Sequence, residues 1–272
     1  LARFEMENIM NERLKGKIVA ITGGAKGNGF ATAIRVGKEG ASVFIGDIDE
    51  NGLSKALNKL HKLGITASGR VVDVSNISTA PQFMSAIVKE FGRLDVFVNN
   101  AGASRPQTFP YVTEDMWDWT MDLNLKGAFF LLQEAAKIMI NQKSGSIVNI
   151  SSYAGVIGGL TSSPPYAAAK AALVNVTVMA AAYLAEHGIR VNAVAPGIVN
   201  TGFHDVVDKV VGQDQLGLKR GELMKNKAKS IPLFHRMTEP EDVASTVAFL
   251  ASSDSSHITS ETIMVTGGMK TL

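Results

Sequence analysis

The chain contains no cysteine. Disulfides, thiolate nucleophiles and Cys-zinc sites are therefore excluded, and the composition suits a reducing compartment. Its five histidines form no His-Glu-x-x-His or similar ligand cluster, so no metal site is expected. An excess of one charge is also missing. Lys and Arg number 27 against 25 for Asp and Glu, a net charge of +2, and their scatter offers no electrostatic footprint for nucleic acid. No linker rich in Gly, Ser or Pro divides the chain, and no repeat recurs in it. The longest apolar run, Ala171 to Ala185, is broken by Asn175 and Thr177 and is too short to span a bilayer. Residues 1–15 carry charges of both signs and no apolar stretch of signal-peptide length, so they read as an N-terminal extension. These absences lead us to expect a soluble, cytoplasmic protein with neither a membrane nor a nucleic-acid partner.

What the chain does have is 46% apolar residues in 272, ample for one substantial core. Short β-branched runs alternate with longer helical stretches from Lys17 onward, the pattern of a parallel sheet covered on both faces. Strands are expected at Ile18–Thr22, Ser42–Asp47, Ser68–Val74, Val96–Asn99, Ser146–Ser151, Arg190–Ala195 and Thr262–Thr266. Helices are expected near Gly29–Glu39, Glu50–Leu63, Thr79–Phe91, Thr113–Asn141, Pro165–His187 and Pro240–Ser252, the last capped by Thr238 with Glu241 completing a capping box. The fold class is thus α/β: a single Rossmann-like, doubly wound parallel sheet of about seven strands over residues 16–272. One stretch, 197–237, is too long for a plain connection and reads as a substrate loop or lid. Phe203, Val206, Val207 and Val210 in it are available to cover an apolar substrate, and His204 and His235 read as solvated.

Two local patterns carry chemistry. Thr22-Gly23-Gly24-Ala25-Lys26-Gly27-Asn28-Gly29 follows the first strand and opens the first helix. Glycines 23, 27 and 29 let the backbone turn tightly and approach a pyrophosphate resting on the positive end of the helix dipole. Asp47, ending the second strand, would bind ribose hydroxyls and repel a 2′-phosphate, and Ile48 rather than Arg follows it, which favours NAD. Lys26 argues for NADP, as a cation able to pair with that phosphate. The second pattern is Tyr166-Ala-Ala-Ala-Lys170. It sets a phenol and an ammonium one helical turn apart, where the cation is expected to lower the phenol pKa.

With Asn99-Asn100-Ala101-Gly102, the Ser152…Tyr166-x-x-x-Lys170 constellation and Arg190-Val-Asn-Ala-Val-Ala-Pro196-Gly197, the chain resembles the short-chain dehydrogenase/reductase family from Lys17 to its C-terminus. The resemblance implies hydride transfer between a secondary alcohol carbon and nicotinamide, with Tyr166 as proton donor or acceptor. It implies that Lys170 tunes Tyr166 and holds the nicotinamide ribose, that Ser152 binds the reacting oxygen, and that Asn124 anchors a water leading to Lys170. Cofactor contacts are implied at Gly23, Lys26, Gly27, Asn28, Gly29, Asp47, Ile48, Asp73, Val74, Asn100, Ala101, Gly102, Tyr166, Lys170, Pro196, Gly197, Val199 and Thr201. Asn99 would support the central strand. A homotetramer is implied too, with Trp117 and Trp119 read as core or subunit-contact residues.

The sequence departs from the family at several points. The Ser152 to Tyr166 interval is one residue longer than usual and contains Pro164-Pro165, which points to a bulge before the helix and makes Ser151 a reserve for the serine role. Asn28 and Phe30 replace small aliphatics, and Thr266 stands where Asp is common. An NAD(H)-dependent alcohol dehydrogenase or ketone reductase acting on a small alcohol or ketone is the leading reading. An NADP-dependent 3-oxoacyl-thioester reductase and a non-catalytic dinucleotide sensor are the rivals. Substrate choice is expected to lie in the insertion and in Gly155–Ser163, with Arg105, Phe109 and Tyr111 near the entrance.

Overall fold

The computed structural model describes residues 12–107, 109–157 and 163–269. Among these, seven parallel strands form one sheet: β1 (Ile18–Thr22), β2 (Ser42–Asp47), β3 (Ala67–Val71), β4 (Val96–Asn99), β5 (Gly145–Ile150), β6 (Ile189–Pro196) and β7 (Thr262–Val265). Their order is β3-β2-β1-β4-β5-β6-β7. The helices are α1 (Gly27–Lys38), α2 (Glu50–Lys62), α3 (Thr79–Phe91), α4 (Glu114–Met121), α5 (Gly127–Gln142), α6 (Pro164–Leu184), α7 (Glu222–Lys229) and α8 (Pro240–Ala251).

Continuous apolar strands explain the layering. Every residue of β1 and of β4 is buried, which requires cover on both faces. On one face α1, α2 and α8 pack on Val19, Ile21, Val98, Val148 and Val194. On the other, α3, α5 and α6 enclose Phe83, Phe97, Met139 and Ile147. Each such fully buried side chain contributes roughly 1.5–3 kcal/mol of hydrophobic stabilisation. The chain runs outward from β1 through β2 to β3 and then returns to β4 beside β1. That reversal leaves a crevice at the carboxyl ends of the strands, where open α/β sheets bind ligands.

The differences from expectation have local causes. β3 stops at Val71 rather than Val74 because the Asp73 carboxylate accepts from Ser75 N and Oγ, at 3.0 and 2.7 Å, and turns the chain. The helix expected over Thr113–Asn141 is α4 and α5 joined by a π-helical turn, Asp122–Lys126. Pro164 and Pro165 occupy the first turn of α6, where a missing N–H is harmless; the bulge expected before that helix falls on a loop whose residues 158–162 lie outside the described residues. At α8 the capping box sits one residue later than Thr238 and Glu241. Glu239 is the N-cap and Asp242 closes the box, because the Thr238 N–H is taken by Ile198 O at 2.9 Å.

By length and composition, Pro164–His187 is long and apolar enough to cross a bilayer, which the broken run at Ala171–Ala185 did not suggest. In the fold its inner residues Leu173, Ala180 and Ala181 belong to the packed layers. Thr177 is satisfied internally, donating to Leu173 O and accepting from Asn149 Nδ2, each at 2.9 Å. Residues 12–15 pack onto the domain: Leu14 is buried, and Arg13 pairs with Glu39 and Asp254. Within the insertion, Ile198, Val207, Leu223 and Met224 form a small core of their own. Val207 therefore faces the interior of the insertion, not a substrate.

Candidate active site

β1 ends at Thr22, and the Gly-rich turn carries the chain into α1. Gly23 and Gly27 hold left-handed φ values of 64° and 55°, which side chains other than glycine adopt at a cost. At Gly29 a Cβ would stand 2.1 Å from Gly23 O and 2.6 Å from Asn100 Nδ2. The turn is therefore flush against the loop after β4. Asn100 Nδ2 donates to Thr22 O and Gly23 O at 2.9 and 3.0 Å, and Thr22 Oγ1 accepts from Asn100 N and Ala101 N, each at 3.1 Å. Thr22 was not singled out in the sequence; its place directly before Gly23 was the available signal. Glycine backbone at a helix N-terminus fits a dinucleotide pyrophosphate.

Asp47 is buried at the end of β2. Its Oδ2 accepts from Ala25 N at 3.0 Å and its Oδ1 from Asp49 N at 3.1 Å. Each oxygen keeps a further lone pair, so the carboxylate is fixed beside the Gly-rich turn with acceptor capacity to spare for ribose hydroxyls. Lys26 is exposed on the same turn, and Ile48, directly after β2, is exposed too. Val74 is buried next to Asp73. From the other side, the chain after β6 folds back over the turn. Pro196 ends β6, Gly197 N donates to Val265 O at 2.9 Å, Val199 bridges to Thr238, and the Thr201 methyl lies 3.5 Å from where a Gly27 Cβ would stand.

Ser151 and Ser152 leave the end of β5 opposite α6. Ser151 Oγ donates to Lys170 O at 2.8 Å and is consumed in holding the helix. Ser152, not its reserve, hydrogen-bonds the Tyr166 hydroxyl, while its Oγ accepts from Ala154 N at 3.2 Å. Lys170 is buried; its Nζ donates to Ile150 O at 2.8 Å and lies 5.7 Å from the Tyr166 ring centroid. Asn124 sits in the π-helical turn, fully buried. Its Nδ2 donates to Ala103 O and Thr120 O, at 2.9 and 3.0 Å, and its Oδ1 accepts from Ala103 N at 3.2 Å. Both amide donors are used, which leaves one lone pair of Oδ1 for a water. Asn99 Nδ2 ties β4 to Ala128 O and Asn149 Oδ1 at 2.8 and 3.1 Å.

The electrostatics run against the expected direction. Burial pushes Tyr166 up to about 12, offset in part by the Ser152 hydrogen bond and reinforced by Tyr153. Burial pulls Lys170 down to about 8. Residue spacing suggested only the attraction between cation and phenolate. In the fold, desolvation is the largest cause of both shifts, and the Lys170 Nζ lies 5.7 Å from the Tyr166 ring centroid. Tyr153, adjacent to Ser152, is a further neighbour that the spacing did not reveal.

The insertion closes on this centre through Phe203, whose ring lies 5.7 Å from that of Tyr166. His204 is not solvated as expected: burial first, then Lys227, takes it down to about 4. His235 is exposed, in contact with Lys229 O at 3.0 Å. Phe109 and Tyr111 are exposed, and the Arg105 guanidinium stacks 4.2 Å above Trp119. Of Gly155–Ser163, residues 158–162 lie outside the described residues.

A family model described as enoyl-(acyl carrier protein) reductase matches residues 23–270. The chain is 37% identical over 259 residues to 3-oxoacyl-(acyl-carrier-protein) reductase FabG of Thermotoga maritima, covering 94% of this chain and 99% of the relative. The chain is a short-chain dehydrogenase/reductase. Galactitol 2-dehydrogenase of Agrobacterium fabrum is also 37% identical, over 94% of this chain and 98% of its own. Among solved structures, levodione reductase superposes with a TM-score of 0.88 at 31% identity, covering 95% of this chain and 99% of the other. A single-residue variant of actinorhodin polyketide ketoreductase with NADPH gives 0.89 at 31%, over 94% and 98%. As a family member the chain is an oxidoreductase of the CH–OH/ketone class that binds a nicotinamide dinucleotide. The relatives' names span acyl thioesters, a polyol and a ketone, so they agree on the reaction and differ on the substrate.

Proposed function

We propose that this short-chain dehydrogenase/reductase interconverts a small secondary alcohol and its ketone with NAD(H), using Ser152, Tyr166, Lys170 and Asn124. The observation that carries the reading is the hydrogen-bonded Ser152–Tyr166 pair beside the buried Lys170 ammonium. A bound nicotinamide supplies or takes up the hydride. In the reducing direction Tyr166 gives its proton to the carbonyl oxygen as that oxygen gains charge, and Ser152 holds the oxygen in place. The raised pKa keeps Tyr166 protonated and ready to donate. Lys170, its pKa lowered by burial to about 8, would return a proton to Tyr166 and be reprotonated from solvent through a water held by the remaining lone pair of Asn124 Oδ1. The Gly-rich turn and Asp47 hold the adenosine half, with Asp73, Val74, Asn28 and the Asn100–Gly102 segment flanking it, and Thr201 reaches toward the nicotinamide.

Buried Asp47, bonded to Ala25 N, supports NAD because a 2′-phosphate would meet a fixed negative charge. The NADP-dependent 3-oxoacyl-thioester reductase is the second reading, favoured by the exposed Lys26 on the Gly-rich turn. A non-catalytic sensor is disfavoured, since dinucleotide sensing needs no Ser–Tyr–Lys set. The homotetramer is supported by exposed apolar residues on α4 and α6: Trp117, Val178, Met179 and Tyr183. A cysteine-free chain suits a cytoplasmic setting.

Steady-state turnover of an alcohol and ketone panel with NAD(H) and NADP(H), for wild type and Tyr166→Phe, is the test. Tyr166→Phe is expected to lower kcat by roughly 10²–10⁴-fold with NADH affinity retained. Activity of Tyr166→Phe within tenfold of wild type refutes the mechanism, and a wild type that prefers NADPH refutes the cofactor assignment.

A further inference from the structure

Tyr153 stands beside the reacting pair, yet no step of the proposed reaction uses it. It opens a short 3-10 turn, Tyr153–Gly155, directly after Ser152. That turn is fixed from both sides. The Tyr153 carbonyl accepts from Val156 N at 3.0 Å and from Ile157 N at 2.8 Å, and Ser152 Oγ accepts from Ala154 N at 3.2 Å. A Cβ at Gly155 would stand 2.5 Å from Lys170 C and 2.6 Å from Ala171 N, so the turn is seated on α6 at the level of Lys170. The Tyr153 ring packs against the insertion's core of Ile198, Val207, Leu223 and Met224. Backbone and ring are thus held by separate elements, which is the support a binding group needs.

The hydroxyl is what packing leaves unexplained. Tyr153 is half-buried, and among the described residues its hydroxyl has no hydrogen-bond partner and is not one of the atoms that are both buried and unpaired. It is therefore open to a ligand. Burial raises its pKa, which keeps the phenol protonated at neutral pH, and Tyr153 lies close enough to raise the Tyr166 pKa by charge repulsion. The two hydroxyls share one region at the carboxyl end of β5. Filling space there requires only a ring: Phe203, the other aromatic neighbour of Tyr166 at 5.7 Å between centroids, carries no polar atom. A tyrosine hydroxyl taken partly out of water ordinarily finds a partner. A phenol both donates and accepts, so the group that matches it best is another hydroxyl.

We propose that Tyr153 is a specificity-determining residue that binds a second oxygen of the substrate, a hydroxyl close to the reacting carbon, as in α-hydroxyketones and the vicinal diols they form. Ser152 and Tyr166 hold the reacting oxygen, and Tyr153, adjacent to Ser152, holds its neighbour. The inference rests on the proposed carbonyl–alcohol reaction and adds the substrate class to it.

Initial rates with acetoin against butanone, and with adipoin against cyclohexanone, test it in wild type and Tyr153→Phe, each with NADH and NADPH. Wild type should favour the hydroxyketone of each pair by about tenfold or more in kcat/KM. Tyr153→Phe keeps the ring and should shrink that preference by about tenfold, mostly through KM, because the bond is made in the ground state as well as in the transition state. Losses of equal size on both members of a pair would assign Tyr153 to packing alone and overturn the proposal. So would a wild type that favours the plain ketones, or a preference that survives Tyr153→Phe. Turnover of none of these ketones by wild type would instead refute the proposed reaction, and the inference with it.

Discussion

Replacing Lys170 with methionine tests the electrostatic state of the centre without any knowledge of the substrate. Lys170 is 3% exposed, and Ile150 O at 2.8 Å is the protein acceptor of its ammonium among the described residues. Burial takes its pKa from 10.5 down to about 8. The folded protein therefore holds this proton less tightly than the unfolded chain does. Below about pH 8 both states are protonated and the folded state carries the full penalty. From about 8 to 10.5 the folded form has released the proton while the unfolded chain keeps it, so stability rises with pH across that window. A drop from 10.5 to about 8 corresponds to roughly 3 kcal/mol.

Methionine has a similar length and no charge, but it leaves Ile150 O without a donor, a cost of about 1–3 kcal/mol at every pH. The pH-dependent part is therefore the clean readout. Wild type should gain about 3 kcal/mol on Lys170→Met between pH 8 and pH 10.5. Tyr166, pushed up to about 12, lowers stability above its unfolded value of 10, but both proteins carry it and the difference largely removes it. Urea unfolding at a series of pH values measures the gain. A difference that stays flat across this window would refute the desolvated ammonium.

Other substitutions separate roles that adjacent residues would otherwise share. Ser152→Ala should cut kcat/KM by about 10²–10³-fold. Ser151→Ala, which loses the bond to Lys170 O, should cost about 1 kcal/mol of stability in urea while leaving activity within tenfold. Gly29→Ala places a methyl 2.1 Å from Gly23 O and should abolish NADH binding followed by fluorescence; retained affinity would mean that the turn does not hold the dinucleotide. Asp47→Ser should narrow the ratio of kcat/KM for NAD over NADP by about tenfold or more, in line with roughly 1–4 kcal/mol of repulsion at about 4 Å. An unchanged ratio would remove Asp47 from cofactor choice.

Strand runs, the Gly-rich turn and the Tyr166…Lys170 pair were legible in the sequence because each is local: the period of apolar residues, the glycine spacing and one helical turn are properties of consecutive residues. β1, β2 and β4 fall at the expected bounds for that reason. Tertiary structure alone decided between Ser151 and Ser152, since the choice depends on Lys170 O, nineteen residues away, accepting from Ser151. Asn124 stood out only through the family resemblance and would otherwise have read as an ordinary helix residue, because its setting comes from the π-helical turn and the Ala103 backbone it clamps. The direction of the Tyr166 shift was hidden as well. Spacing reports which charges are near, whereas burial by Phe203 and the surrounding layers sets what those charges cost. Val207 and Asp208 are neighbours in sequence, yet one fills the insertion's core and the other lines its cavity. That division exists only once the insertion folds on itself, which places Leu223 and Gly221 against residues more than a dozen positions earlier.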